Sequence, residues 1–147
     1  MTRYLLLAAL LVSAAACEDS QGPSGPSETF VRSSLNVQLQ DVATVRADGG
    51  IQYVMSLRVQ ETAGGSATVV NIALEFRCGL ATATFPADAL TLFPDPVLPG
   101  SSALSTPISI PAGETLCDQV QARVRYFDSV GIVTSNGAAI LPAPPPA

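Results

Sequence analysis

Ile51-Gln52-Tyr53-Val54-Met55-Ser56-Leu57-Arg58-Val59-Gln60 decides the fold class. Ile51, Tyr53, Met55, Leu57 and Val59 take alternate positions, with Gln52, Val54, Ser56, Arg58 and Gln60 between them. A period of two puts successive side chains on opposite faces, so the run reads as a strand with one buried face. Upstream, Leu35, Val37 and Leu39 alternate with Asn36, Gln38 and Gln40 in the same way. Between the two runs lies Arg46-Ala47-Asp48-Gly49-Gly50. An Asp-Gly pair there signals a hairpin, because glycine accepts positive φ without steric cost.

Downstream the pattern continues. Thr68, Val70, Ile72, Leu74 and Phe76 are expected on one face of a third strand, with Val69 and Ala73 outward. The turn Glu61-Thr62-Ala63-Gly64-Gly65-Ser66 precedes it, so the first three strands read as an antiparallel meander. Leu80 to Phe85 reads as a short strand, and Leu90 and Leu92 as a brief extended segment. Phe93 to Gly100 carries Pro94, Pro96 and Pro99 and is read as a loop, since proline cannot donate to a ladder. Extended structure is expected again over Ala103 to Ile110, with a turn at Pro111-Ala112-Gly113-Glu114. Val120, Ala122, Val124 and Tyr126 alternate with Gln119, Gln121, Arg123 and Arg125 as a clear strand. Val130 to Thr134 and Ala138 to Leu141 read as a hairpin or a broken strand around Ser135-Asn136-Gly137. The ending Pro142-Ala143-Pro144-Pro145-Pro146-Ala147 favours polyproline II or disorder. About seven to nine strands with frequent turns predict an all-β antiparallel sandwich over residues 30–141.

The run Tyr53 to Gly65, a strand ending in Glu61-Thr62 and a Gly64-Gly65 turn, followed by the alternation from Thr68 to Phe76, resembles the immunoglobulin-like modules of bacterial surface proteins. The resemblance implies an immunoglobulin-like β-sandwich. The chain has no tryptophan and so departs from antibody-type domains.

Composition narrows the chemistry. The 147 residues are 48% apolar and only 13% charged, carry a net charge of −5, and contain no histidine. Every basic residue is Arg. Without histidine the commonest general base and every Ser-His or Cys-His pair are absent. An acidic chain lacks the basic face that nucleic acids require, so no nucleic-acid partner is expected. The nine acids from Asp41 to Asp128, Glu61 among them, form no calcium-loop pattern and are read as solvated surface carboxylates. Arg123 and Arg125 share an outward face, with Arg58 and Arg77 outward on other strands. These are read as stems covering apolar surface and pairing with neighbouring acids. No catalytic residue, metal ligand or cofactor is expected.

The N-terminus reads as an address. Met1-Thr2-Arg3-Tyr4 leads into an apolar run and then Ser13-Ala14-Ala15-Ala16-Cys17. This is the layout of a signal peptide over residues 1–16. The apolar stretch from Tyr4 to Ala16 is 13 residues, short of the roughly 20 a spanning helix needs. Ala14-Ala15-Ala16-Cys17 resembles the lipobox of bacterial lipoproteins, with Ala14 where Leu is usual. The resemblance implies that Cys17 is acylated and becomes the new N-terminus. Residues 17–29, rich in Gly, Pro, Ser and acids, read as a flexible tether, and residues 142–147 as a Pro-rich tail.

With Cys17 acylated, Cys78 and Cys117 remain, and two cysteines in an exported domain most often pair. The bridge would close a loop of about 40 residues, contributing roughly 4 kcal/mol in the chain-entropy model. Cys117 is expected in the turn after Gly113, ahead of the regular strand. The whole reads as a cell-envelope lipoprotein, held to the membrane at Cys17, whose sandwich is a non-catalytic binding or structural domain with an envelope protein as partner. The alternative is an inhibitor of a hydrolase that presents the loop Phe93 to Gly100, since a rigid Pro-rich loop loses little entropy on docking.

Overall fold

The computed structural model describes residues 30–146. The signal peptide, Cys17 and the tether expected over residues 17–29 lie outside the described residues. Among the described residues there are eight strands, β1 (Leu35–Ala47), β2 (Gly50–Glu61), β3 (Thr68–Cys78), β4 (Ala81–Ala87), β5 (Ser102–Leu104), β6 (Ile108–Gly113), β7 (Gln119–Phe127) and β8 (Ile132–Ile140), with one short helix, α1 (Ala89–Leu92). Every strand pairing is antiparallel.

Two sheets face each other. In the first, β1 pairs with β2, and both β5 and β6 lie along the other side of β2. The second has the order β4-β3-β7-β8. Placing the first two strands in one sheet and the third, seventh and eighth in the other is the arrangement of an immunoglobulin-like sandwich. The core is what the period-two runs supply. Tyr53, Met55, Leu57 and Val59 of β2 meet Ile72, Leu74 and Phe76 of β3 and Val120, Ala122, Val124 and Tyr126 of β7, all buried.

The meander stops after two strands. β3 pairs with β4 and β7, not with β2, so the connection after Glu61 crosses from one sheet to the other. Val69 is buried and Val70 exposed, the reverse of the expected faces. The register between β3 and β7 shifts between Val69 and Asn71, and the extra residue of that bulge inverts the parity. β1 has its own irregularity between Gln40 and Ala43, where Asp41 takes φ +53°. This conformation is open to Asp among the few non-glycine residues.

Three further expectations change. The Leu90–Leu92 segment is helical, because the Asp88 side chain caps it by accepting from the Leu90 amide. β6 runs through Pro111 and Ala112 to Gly113, so the turn begins later than expected. Ser135-Asn136-Gly137 does not turn, since β8 is continuous and each of its nine residues faces one of β7. The gap between β5 and β6 is bridged by Ser105, whose amide donates to the Leu57 carbonyl at 2.8 Å while its hydroxyl accepts from the Leu57 amide at 2.9 Å.

The two sheets come together at one side where β1 lies against β8. A Cβ on Gly137 would run into the Val37 carbonyl, so only glycine permits that approach. The Pro-rich tail is docked there. Leu141 is buried, the Thr44 hydroxyl donates to the Pro142 carbonyl, and Arg46 Nε donates to the Pro145 carbonyl at 2.8 Å. No helix among the described residues is long and apolar enough to cross a membrane.

Candidate functional site

The site is built around residues 31–35, where the N-terminal segment joins the sandwich. Two carboxylates hold it. Glu61 ends β2 and Asp128 follows β7, and both lie on the inward parity of their strands, one step beyond the core residues Val59 and Tyr126. Glu61 is 1% exposed and Asp128 2%. This corrects the reading of both as solvated acids. A buried charge persists only if fully hydrogen-bonded, and both are.

Glu61 accepts from three parts of the chain. Its Oε1 takes the amides of Ser34 (3.3 Å), Ala63 (2.7 Å) and Gly64 (3.0 Å), and its Oε2 those of Gly64 (2.9 Å) and Gly100 (3.0 Å). Burial pushes this carboxyl up, but the Gly100, Gly64, Ala63 and Ser34 amides outweigh it and hold the pKa at about 2. One side chain thereby ties together the N-terminal segment, the sheet-to-sheet crossing and the end of the Pro-rich loop.

Asp128 does the same from the other sheet. Its Oδ2 accepts from the Ser33 amide at 3.1 Å, and Oδ1 from Val130 (2.8 Å) and Gly131 (2.9 Å). The Ser33 bond is the largest cause holding its pKa below the usual range, with Val130, Gly131 and the nearby Arg32 charge acting the same way.

Further polar groups of the segment find partners. The Tyr126 hydroxyl donates to the Ser33 carbonyl (3.3 Å) and accepts from the Leu35 amide (3.4 Å). Ser129 Oγ donates to the Val31 carbonyl at 3.0 Å, Ser33 Oγ to the Ser66 carbonyl at 2.7 Å, and the Thr62 amide to the Ser34 carbonyl at 2.9 Å. Gly65 completes the fit, because a Cβ there would lie 2.7 Å from the Val31 carbonyl and 2.8 Å from that of Arg32.

The disulfide is at the other end. Cys78 closes β3, and Cys117 precedes β7 in the stretch after Gly113. They are bonded, with Cα atoms 3.9 Å apart. Tyr53 braces this end, its hydroxyl accepting from the Cys117 amide at 2.7 Å and donating to the Thr115 carbonyl at 3.3 Å. Eight residues of β2 separate Tyr53 from Glu61, or ~27 Å of strand. Beside the bridge, Tyr53, Phe76, Phe85 and Ile110 line an apolar slot of about 150 Å³.

The arginines do not converge. Arg77, Arg123 and Arg125 share the outer face of the second sheet, and Arg58 lies on the first, its Nη2 3.4 Å from Ser102 Oγ. Arg123 stands 3.9 Å from Glu75 with both side chains exposed, a pair of little energetic weight. Among the described residues no three His, Cys, Asp or Glu side chains are grouped to hold a metal.

The loop Phe93 to Gly100 is pinned. Phe93 and Val97 are buried, Val97 exchanges backbone hydrogen bonds with Ala67 (2.8 and 3.0 Å), and Gly100 is held by Glu61.

The chain matches no protein-family model and none of the curated proteins compared with it. Among solved structures it is similar to the crystal structure of a Bordetella pertussis protein labelled ApaA, with a TM-score of 0.46 and 14% identity over 77% of this chain and 98% of that one.

Proposed function

We propose that this protein is a bacterial envelope lipoprotein, acylated at Cys17, whose β-sandwich is a non-catalytic binding or structural domain. The observation that carries the reading is the grip on residues 31–35. Val31, Ser33, Ser34 and Leu35 of the incoming chain each meet a fixed partner, Ser129, Asp128, Glu61 and Tyr126 in turn. A chain that enters through such a junction positions a domain, since a pull on it is delivered to both sheets at once. The Cys78–Cys117 bridge fits export to an oxidising compartment. The small residues before Cys17 and the polar stretch after it supply the anchor and the spacer, and two or more acyl chains give stable membrane attachment where one does not.

The inhibitor reading retains one observation in its favour. The Phe93–Gly100 loop is held at both ends and presents Pro94, Asp95, Pro96 and Leu98 to solvent, so it is preorganised for docking.

The test is metabolic labelling with an alkyne fatty acid followed by membrane fractionation. The full chain should be labelled and sediment with membranes, and Cys17→Ala should be unlabelled. Equal labelling of the two proteins would sink the reading, and capture of a stoichiometric hydrolase by the anchored protein would favour inhibition.

A further inference from the structure

Of the twelve large apolar side chains exposed among the described residues, six lie where the chain from Cys17 enters the sandwich. Phe127 and Ile132 stand directly opposite one another on the outward face of β7 and β8, 54% and 58% exposed. Val130 is exposed in the turn that joins them. Val70, the extra residue of the β3 bulge, lies two positions from Thr68, which pairs with Phe127. Val31 is fastened beside the same turn by Ser129, and the exposed Phe30 precedes it. Single exposed apolar residues are ordinary on any protein, but a group at one end, two of them aromatic, is the kind of patch that marks a docking surface. Charge sets this end apart from the other. Arg125 is exposed on the same face of β7, two residues from Phe127, and Arg32 is exposed within the entering segment. The carboxylates of this end that hold the junction, Glu61 and Asp128, are buried and taken up by backbone amides. At the disulfide end the exposed Leu116 lies between two exposed acids, Glu114 and Asp118.

We propose that this end of the sandwich docks on the membrane that holds Cys17, its apolar side chains entering the boundary between headgroups and acyl chains and Arg32 and Arg125 meeting lipid phosphates. The inference rests on the acylation at Cys17 proposed above. Thirteen residues lead from Cys17 to Phe30, and such a length spans at most ~45 Å. The point of entry can therefore lie no farther than that from the bilayer, whereas the disulfide end, ~30 Å away along β3, can. The patch has no need to bind membranes unaided. The anchor makes its contact with lipid intramolecular, and at the resulting effective concentration a weak contact suffices. Docking of this end fixes the orientation of the domain. It stands β3 and β7 up from the bilayer and turns the disulfide end away from it.

The chain has no tryptophan, so a single one can serve as reporter. The experiment uses the protein expressed as the full chain, purified from membranes and reconstituted into vesicles of phosphatidylglycerol and phosphatidylethanolamine, with and without brominated acyl chains. Phe127→Trp reports on the proposed surface, and Leu80→Trp on the far end, where Leu80 is fully exposed in the turn between β3 and β4. Phe127→Trp should lose at least about half of its emission to the brominated lipid, since an interfacial apolar face lies roughly 5–10 Å into the bilayer boundary. Leu80→Trp should be quenched several-fold less. Adding Val130→Asp and Ile132→Asp to Phe127→Trp should bring its quenching down to the Leu80→Trp level, with the strand signal unchanged and the protein still sedimenting with the vesicles. Equal quenching at the two positions, no quenching at either, or quenching at position 127 that survives both added substitutions would each overturn the docking while leaving the anchor in place. A Cys17 of unmodified mass in a protein that fails to sediment with the vesicles would overturn the acylation, and the docking with it.

Discussion

The Ser33 amide donates to the Asp128 carboxylate at 3.1 Å across 95 residues of chain, so the segment that enters the sandwich first is fastened by the turn that follows β7. Asp128→Asn keeps the size and removes the charge that strengthens this bond. The expected result is release of residues 30–34 while the core holds. Limited trypsin digestion of the folded protein should cut after the exposed Arg32 several-fold faster in the variant than in the wild type. Equal rates would show that Asp128 does not hold the segment.

Glu61 makes stability depend on pH. Its folded pKa, about 2, lies below the ordinary 4.5, so the unfolded chain takes up the proton first. The stabilisation is fully present above about pH 4.5 and drains away as pH falls towards 2. Denaturation followed from pH 7 to pH 2 should show stability falling mainly in that window. Glu61→Gln should lower stability at pH 7 by about 3 kcal/mol, because its amide NH2 would face backbone N–H donors, and should flatten the acid limb. An unaltered acid limb in the variant would contradict the assignment.

Gly137→Ala tests the contact between β1 and β8. The added Cβ meets the Val37 carbonyl, and forcing the strands apart should cost roughly 1–3 kcal/mol. Urea unfolding reads this directly, and a change below a few tenths of a kcal/mol would mean that the approach is looser than described.

How much of this was legible beforehand varies along the chain. The cores of β2 and β7 are plain from alternation, because where their pairings shift register the extra residue lies on the partner strand, β1, β6 or β3. β3 defeats the same reading. Val69 and Val70 are both apolar, so nothing in the pattern marks the bulge that sends one in and the other out. Its partners β4 and β7 are a matter of long-range pairing that local periodicity does not carry. Ser135-Asn136-Gly137 has turn chemistry yet stays extended, because Val124, Arg123 and Ala122 of β7 pair with it. The junction did leave a signal. Continuing the alternation of β2 and β7 by one step puts Glu61 and Asp128 inside, each followed three residues later by glycine, the composition of a side chain that caps its own turn.

The Cys78–Cys117 bridge closes a span of 39 residues and should contribute up to ~4 kcal/mol. Reduction, or Cys78→Ser with Cys117→Ser, should lower the denaturation midpoint while leaving the far-ultraviolet strand signal unchanged. The loss should fall on the Tyr53 end, so trypsin access at Arg32 should not rise. Collapse of the strand signal on reduction would assign the bridge a larger part than packing leaves for it.

Mass spectrometry of the N-terminal peptide from protein purified out of membranes shows directly whether the protein is anchored at Cys17. A chain that begins at Cys17 and carries the added mass of acyl groups on that residue is expected. A mature chain that begins elsewhere, or a Cys17 of unmodified mass, would contradict it.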